Sequence, residues 1–203
     1  MSDTSLIRAF LEEGHDAWVE RMAAFASDVL SIRPAAKDDA SARAEARELL
    51  ALMGGAGVLD PIGSRDLRAC CLAREAVAAA SPLADAVWAL QGLSITPLLL
   101  AGSDELREAW APKALAGELM GGFAMTEREA GSDVGSMKTT AVRDGDGYVL
   151  NGHKWLISNA GIADYYVVFA STDPEAGSRG ISAFLVSADT DGLDFVGAQV
   201  MSA

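Results

Sequence analysis

The sequence contains few of the residues that form disulfides or metal sites. Its 203 residues include only two cysteines, Cys70 and Cys71, which are adjacent in the chain. Neighbouring residues rarely satisfy disulfide geometry, so we do not expect a disulfide-stapled secreted domain. The two histidines, His15 and His153, are far apart and fit no metal-ligand spacing, so no metal site is predicted. These absences favour a protein of the reducing cytoplasm.

Positive charge and long apolar runs are also scarce. The chain has 16 Lys and Arg against 29 Asp and Glu, a formal net charge of −13 that disfavours binding to nucleic acid or to anionic membranes. The most apolar window, 83–101, is interrupted by Asp85, Gln91 and Pro97, so no membrane insertion is predicted. The N-terminus also lacks the basic and apolar parts of a secretory signal.

The N-terminal part instead carries apolar residues at helical spacing. Leu11, Trp18, Met22, Phe25 and Val29 would share one face of a helix over 5–30. A second helix is predicted over 41–53, where Gly54 and Gly55 end it.

Three further helices follow from capping signals. Ser64 is the predicted N-cap of a helix that runs to Ala80. Ser81 and Pro82 would start a fourth, which Pro97 should kink or end. The fifth begins after Ser103; Pro112 should divide it and Gly117 close it.

After Gly117 the pattern changes to short β-branched and aromatic runs between glycines and aspartates. We predict seven strands, at 120–125, 137–143, 148–151, 154–157, 165–171, 181–187 and 193–200. Asp144 to Gly147 should form a hairpin turn. The predicted fold is α+β: an all-α domain over 1–118, then a small antiparallel β-barrel domain over 119–203.

The segment FAMTEREAGSDVGSMKTTA, over 123–141, combines glycines, hydroxyls and acids directly after a strand-like run. Such a loop can bring backbone N–H groups and a hydroxyl to a cofactor phosphate or carbonyl. On local chemistry alone, a surface turn rich in turn-favouring residues explains the segment as well.

Together with NGHKWLISNAG, over 151–161, this segment resembles the acyl-CoA dehydrogenase family in the order, the spacing and the residues of its two motifs. The resemblance runs from the first helix to the end of the sequence. It implies FAD as cofactor, an acyl-CoA substrate, an electron-transfer flavoprotein as acceptor, a role in fatty acid metabolism and a homo-oligomeric full-length form.

The resemblance also implies roles for individual residues. Phe123, Met125 and Thr126 would lie against the flavin, with Thr126 at the pyrimidine edge. Gly131 and Ser132 would follow the pyrophosphate and the thioester arm of the substrate. The other flavin-facing positions form a strand in the second motif and are Leu156, Ile157 and Ser158, with the Ser158 hydroxyl near the ring nitrogen that accepts hydride.

Each of the two motifs departs from the family pattern at one place. Arg128 and Glu129 stand where the family usually has proline and a small residue, which predicts a more flexible and locally charged loop. Leu156 stands where a flavin-shielding tryptophan usually lies, and Trp155 precedes it. On a strand, Trp155 would point the opposite way and serve ordinary packing.

The reaction implied is α,β-dehydrogenation of an acyl-CoA, in which a glutamate removes the α-proton. In the family that glutamate belongs to a C-terminal helical domain, and we expect the chain to end before it. Glu127, Glu129 and Asp133 are acids in the right loop, yet they are more typical of caps and solvated charges. No catalytic residue is therefore predicted on this chain.

Two alternatives stay open. An acyl-CoA oxidase or flavin monooxygenase of the same superfamily would fit the aliphatic Leu156. A non-catalytic remnant or split subunit that binds flavin, acyl-CoA or a partner chain would fit the missing base.

Overall fold

A computed structural model describes residues 4–199, and in it the chain divides into two compact units, Met1–Leu119 and Met120–Ala203. The first unit is helical and the second contains a β-sheet. The α+β class predicted from the sequence is confirmed by this architecture.

Six α-helices form the described part of the first unit. They are α1 His15–Phe25, α2 Asp39–Gly55, α3 Asp60–Ser64, α4 Leu67–Ala80, α5 Pro82–Ala101 and α6 Asp104–Leu115. The single helix predicted over 5–30 is wrong. A 3-10 turn, Ser5–Phe10, comes first, and α1 continues into the π-helical turn Ala26–Leu30. Gly14, at φ 103°, separates the 3-10 turn from α1, since a positive φ is not helical and only glycine adopts it readily.

Short polar side chains cap four of the helices, α2, α4, α5 and α6. The Asp38 carboxylate accepts from the Ser41 N–H, and Ser41 accepts from the Asp38 N–H, which makes a capping box at α2. Ser81 accepts from the Ala84 N–H at α5 as predicted. The predicted cap at Ser64 is wrong, because Ser64 ends α3 and Asp66 caps α4.

Neither internal proline ends its helix. We predicted that Pro97 would kink or end α5; the helix continues to Ala101, so Pro97 does not end it. The predicted division of α6 at Pro112 is wrong, because that helix continues to Leu115. Each proline removes one N–H that would bond four residues back. The residues there, Leu93 and Glu108, are exposed, so water can bond their carbonyls.

Helix α5 lies at the centre of the helical unit. Its buried residues are Ala84, Val87, Trp88, Gln91, Ser94, Ile95 and Leu98. The Gln91 amide donates to the carbonyls of Ala114 and Leu119, both at 2.8 Å, which ties α5 to the end of α6. By length and composition α5 could also cross a membrane, a criterion that core helices of globular units satisfy too.

The described part of the second unit, residues 120–199, contains one five-stranded sheet. Its strands are β1 Gly121–Ala124, β2 Thr140–Asp144, β3 Gly147–Asn151, β4 Tyr165–Ser171 and β5 Ile181–Ser187. The order is β1-β4-β2-β3, with β5 on β4. Strand β4 is a continuous apolar run that is buried almost throughout, as a central strand requires.

The predicted antiparallel barrel is corrected in two respects. Strand β4 pairs in parallel with β1 and, at Thr140–Ser171, with β2, while the β2–β3 and β4–β5 pairs are antiparallel. The sheet is therefore mixed, because a long crossover joins β1 to β4. Over the described residues it is also open, since β3 lies at an edge.

The hairpin prediction is confirmed, because Asp144 pairs with Gly147 and Gly145 has a positive φ of 58°. Two other strand predictions are wrong. Residues 154–157 form a loop, and residues 193–199 contain no strand; residue 200 of that prediction lies outside the described part.

Candidate functional site

The buried carboxylate of Glu127 organises the loops around the first motif. It accepts hydrogen bonds from the backbone N–H groups of Lys138 (2.6 Å) and Thr139 (2.9 Å) and from the Thr139 hydroxyl. The Lys154 ammonium forms an ion pair with it at 2.9 Å; the Lys154 side chain is 11% exposed and that of Glu127 is 7% exposed. Lys154 also donates to the Met125 carbonyl at 2.9 Å. One carboxylate thus fixes segments that lie 11 to 27 residues away in sequence.

These bonds decide the charge of Glu127. Burial raises the pKa of a carboxyl, but the hydrogen bonds from Thr139, Lys138 and Lys154 outweigh burial and lower the pKa of Glu127 to about 2. The side chain is therefore ionised at neutral pH, with its oxygens engaged by four donors. A group held in this way is a structural anion and a poor proton acceptor.

A backbone hydrogen bond joins the two sequence motifs directly. The Trp155 N–H donates to the Thr126 carbonyl at 2.8 Å. Farther along the second motif, the Asn159 amide donates to the Gly121 carbonyl at 3.0 Å. The loop after β3 therefore runs beside β1 and the residues that follow it. We call residues 123–127 and 154–159, joined in this way, the paired motifs.

The structure places six of the predicted site residues in the paired motifs. Phe123, Met125 and Thr126 follow one another at the end of β1 and are partly exposed. Leu156, Ile157 and Ser158 do not form the predicted strand. Leu156 is 65% exposed at φ 55°, a conformation that a strand excludes.

Ile157 and Ser158 differ in their surroundings. Ile157 packs against the buried cluster that contains Ala124, Tyr166 and Val168. Ser158 is exposed. Ile157 therefore anchors the loop, while its two neighbours face outwards.

Gly131 and Ser132 lie just outside the paired motifs. Glu127 and Ala130 exchange backbone hydrogen bonds of 2.9 and 3.3 Å, which close a tight turn before them. Both residues are exposed, and no atom lies within 4 Å of where a Cβ on Gly131 would be. Backbone at this position is open to a close approach by a ligand.

Sequence reasoning missed four residues that shape the site: Lys154, Thr139, Arg128 and Trp155. Lys154 was included in a strand, whereas its ammonium neutralises Glu127. The period-two assignment of Trp155 is wrong, because the residue lies in a loop and its ring is covered by the Arg128 guanidinium, 5.0 Å from the ring centroid. The burial of Glu127, which the sequence did not indicate, is what creates the need for a nearby cation such as Lys154.

Among the described residues, 4–199, no three His, Cys, Asp or Glu side chains gather in a way that could hold a metal ion. The paired motifs instead present hydroxyls, backbone groups and apolar side chains.

Comparison with known sequences identifies this arrangement. The profile of the acyl-CoA dehydrogenase N-terminal domain matches residues 12–118, and that of the middle domain matches residues 122–200. The chain belongs to the acyl-CoA dehydrogenase family. The paired motifs lie within the part that matches the middle domain.

Individual relatives agree with the family. The chain is 37% identical over 189 residues to the probable acyl-CoA dehydrogenase fadE25 of Mycobacterium bovis, covering 90% of this chain and 48% of that protein. An acyl-CoA dehydrogenase structure from Geobacillus kaustophilus superposes with a TM-score of 0.73 at 32% identity, over 90% of this chain and 50% of that one.

A structure described as the FAD complex of PigA superposes with a TM-score of 0.69 at 30% identity, over 90% of this chain and 50% of that chain. The chain thus spans about half the length of the relatives that it matches across both units.

Proposed function

We propose that the whole protein carries out FAD-dependent α,β-dehydrogenation of an acyl-CoA thioester, and that the paired motifs of this chain form the surface that faces the flavin. The observation that carries this proposal is the hydrogen bond from the Trp155 N–H to the Thr126 carbonyl. It joins two residues, 29 positions apart, from motifs that the family resemblance assigns to one cofactor.

The chemistry of the paired motifs suits a flavin. An isoalloxazine ring has an apolar body and a polar pyrimidine edge. Phe123, Met125 and the exposed Leu156 offer apolar contact, while the hydroxyls of Thr126 and Ser158 can donate and accept at the polar edge. The relative PigA, whose structure is described as an FAD complex, supports the same cofactor here. Ile157 packs into the core, so we assign it the role of support beneath the flavin surface.

We assign Gly131 and Ser132 to the pyrophosphate and the thioester arm. Their exposure, and the open space around Gly131, leave their backbone accessible to a ligand. The Ser132 hydroxyl would hydrogen-bond the substrate. We also treat residues 1–118 and 119–203 as the two domains that carry this arrangement.

Bound FAD would supply the acceptor for the β-hydrogen, which leaves as hydride. The residues of this chain would orient the flavin and exclude water from one side of it. We propose that the base that takes the α-proton lies outside residues 4–199. Glu127 is held ionised in its ion pair, and the Asp133 carboxylate accepts from the Ser136 hydroxyl.

The partners follow from the same proposal. An acyl-CoA is the substrate, an electron-transfer flavoprotein the acceptor, and a homo-oligomer the working form of the whole protein. The two cysteines are free, in keeping with a cytoplasmic enzyme of fatty acid metabolism.

Leu156 favours a second candidate, an acyl-CoA oxidase or flavin monooxygenase. The side chain is 65% exposed, and an aliphatic group covers less of a flavin than an indole does. The rate at which air reoxidises dithionite-reduced flavin separates the two: slow reoxidation supports the dehydrogenase, and fast reoxidation supports the oxygen-using enzyme.

The direct test is an anaerobic titration of the longest reading frame that contains this chain, loaded with FAD. A panel of straight, branched and aromatic acyl-CoA thioesters should include one that removes the visible absorbance of the oxidised flavin. Failure of the entire panel to change that absorbance would overturn the proposed activity and favour a non-catalytic binding protein.

A further inference from the structure

Arg128 in the first motif contacts Trp155 in the second, each being one residue of a place where its motif departs from the family pattern. The Arg128 guanidinium lies over the Trp155 indole at 5.0 Å from the ring centroid, within the range of a cation–π contact. Arg128 is exposed and Trp155 is half-buried. The His153 ring lies on the same indole, with the two centroids 6.1 Å apart. The stack therefore lies at the surface of the sheet unit, outside the ion pair of Glu127.

The stack completes an uninterrupted series of contacts. Lys154 donates to the Met125 carbonyl and pairs with Glu127. The Trp155 N–H donates to the Thr126 carbonyl, and the Trp155 ring receives Arg128. All four residues from 125 to 128 are thus held by the two residues 154 and 155. The contact with Arg128 is the last in this series and, like the ion pair of Lys154 with Glu127, is made by two side chains.

We propose that Arg128 and Trp155 form a positioning pair that holds residues 125–128, the loop that faces the flavin, in place. This inference rests on the proposed function. Proline at position 128 would restrict φ by its ring, whereas arginine leaves that dihedral free and enlarges the unfolded ensemble. The contact between the two side chains supplies the restraint on residue 128 that its own backbone lacks. Neither residue touches reacting atoms in this proposal; both act through Thr126, whose hydroxyl faces the flavin edge.

This assignment differs from both expectations drawn from the sequence. The arginine was expected to loosen the loop, and the tryptophan was expected to serve ordinary packing away from it. In the structure the two substitutions occupy facing positions, and each supplies the partner that the other requires. The pair explains how the loop can do without its usual proline.

The test compares FAD binding by the native chain, Arg128→Gln, Trp155→Leu and the double variant. Flavin fluorescence gives the Kd, and the visible bands of bound FAD report the environment of the ring. Each single variant should weaken FAD binding about two- to fivefold, the fold-change expected for an exposed cation–π contact. Because the two residues act as one unit, the double variant should bind FAD no more weakly than whichever single variant has the higher Kd.

Two matched variants serve as controls. Trp155→Phe keeps an aromatic face and should retain most of the affinity and the native visible bands. Arg143→Gln removes an exposed arginine of the β2–β3 hairpin, which bonds only to Gly145 in the described structure, and should bind FAD as the native chain does. Chemical denaturation midpoints, measured on every variant, confirm that the folded state is the one compared.

Native affinity in both single variants, or a double variant whose loss equals the product of the single losses, would overturn the pair while leaving the proposed function intact. Loss of affinity in Arg143→Gln equal to that in Arg128→Gln would overturn it too, because general charge would then explain the effect. A native protein that binds no FAD would overturn both the pair and the proposed function.

Discussion

The two units of the chain use buried polar groups for different purposes. In the helical unit, Gln91 bonds the carbonyl of Ala114 near the end of α6 and that of Leu119 in the following loop, and the buried His15 lies between the Glu12 N–H and the carboxylate of Asp66. In the sheet unit, the buried ion pair of Glu127 and Lys154 fixes irregular loops. The helical unit therefore uses polar groups to complete regular structure. In the sheet unit the same kind of group holds the candidate site, which couples stability to function there.

The largest expected effect comes from breaking the ion pair. Glu127→Gln leaves the Lys154 ammonium buried without a counter-charge and turns an amide N–H₂ towards backbone donors. We expect a loss of about 3 kcal/mol in the free energy of unfolding, as for other broken buried pairs. Urea denaturation monitored by a probe in the sheet unit measures it.

Asp133→Asn is the matched control for Glu127→Gln. Asp133 is an exposed acid of the same loop, and its removal should change the free energy of unfolding by no more than about 0.5 kcal/mol. If both variants lost the same free energy of unfolding, the negative charge of the loop in general would explain the loss, and the ion pair would not be its cause.

Acid should destabilise the native protein through Glu127. Its pKa is lowered from 4.5 to about 2 in the folded state, so the unfolded chain takes up a proton first as the pH falls. The stability that Glu127 contributes is full above about pH 4.5 and is lost as the pH falls towards 2. Denaturation midpoints over this range should fall more steeply in the native protein than in Glu127→Gln. Parallel curves would contradict this role.

In the helical unit, the comparable change is Gln91→Leu. It leaves the carbonyls of Ala114 and Leu119 without the donor that they share, at a cost of about 2 kcal/mol in the free energy of unfolding. FAD affinity should be affected less than in Glu127→Gln, because Gln91 does not hold the paired motifs. Thr96→Ala, in the same helix but exposed, should stay within about 0.5 kcal/mol of the native protein.

The smallest effect concerns the helix caps. Ser81→Ala removes the acceptor for the Ala84 N–H and should cost about 1 kcal/mol. Ser64→Ala should cost less than about 0.5 kcal/mol, since Ser64 caps no helix and its hydroxyl makes only a 3.4 Å contact with the Pro61 carbonyl. Thermal denaturation of the two variants side by side decides between the structural and the sequence-based assignment of the cap.

The helical unit was the more predictable of the two because its signals are local. Ser81 and Pro82 start α5 as expected, and Asp144 to Gly147 form the expected hairpin in the sheet unit. Each of these features is decided by residues within one turn of one another. Even the wrong division predicted at Pro112 concerns how far a helix continues, not whether it forms.

The candidate site was less predictable because its contacts span long distances in sequence. Trp155 and Ile157 are residue types common in strands. Lys154, however, pairs with Glu127, and residues 154–157 form a loop beside that ion pair and not a strand of the sheet. Strand propensity depends on packing context, and a nonlocal ion pair overrides it here. The two motifs indicated which segments lie close together. The hydrogen bonds and the ion pair that hold these segments together could not be inferred from the spacing of the residues.

The most direct test of the account is a titration with FAD, followed by flavin fluorescence and visible absorbance, of this chain and of the longest reading frame that contains it. The account predicts saturable binding with displaced visible bands, and weaker binding in Glu127→Gln, where the paired motifs lose their ion pair. A folded protein that leaves the fluorescence and absorbance of FAD unchanged in both forms would contradict it.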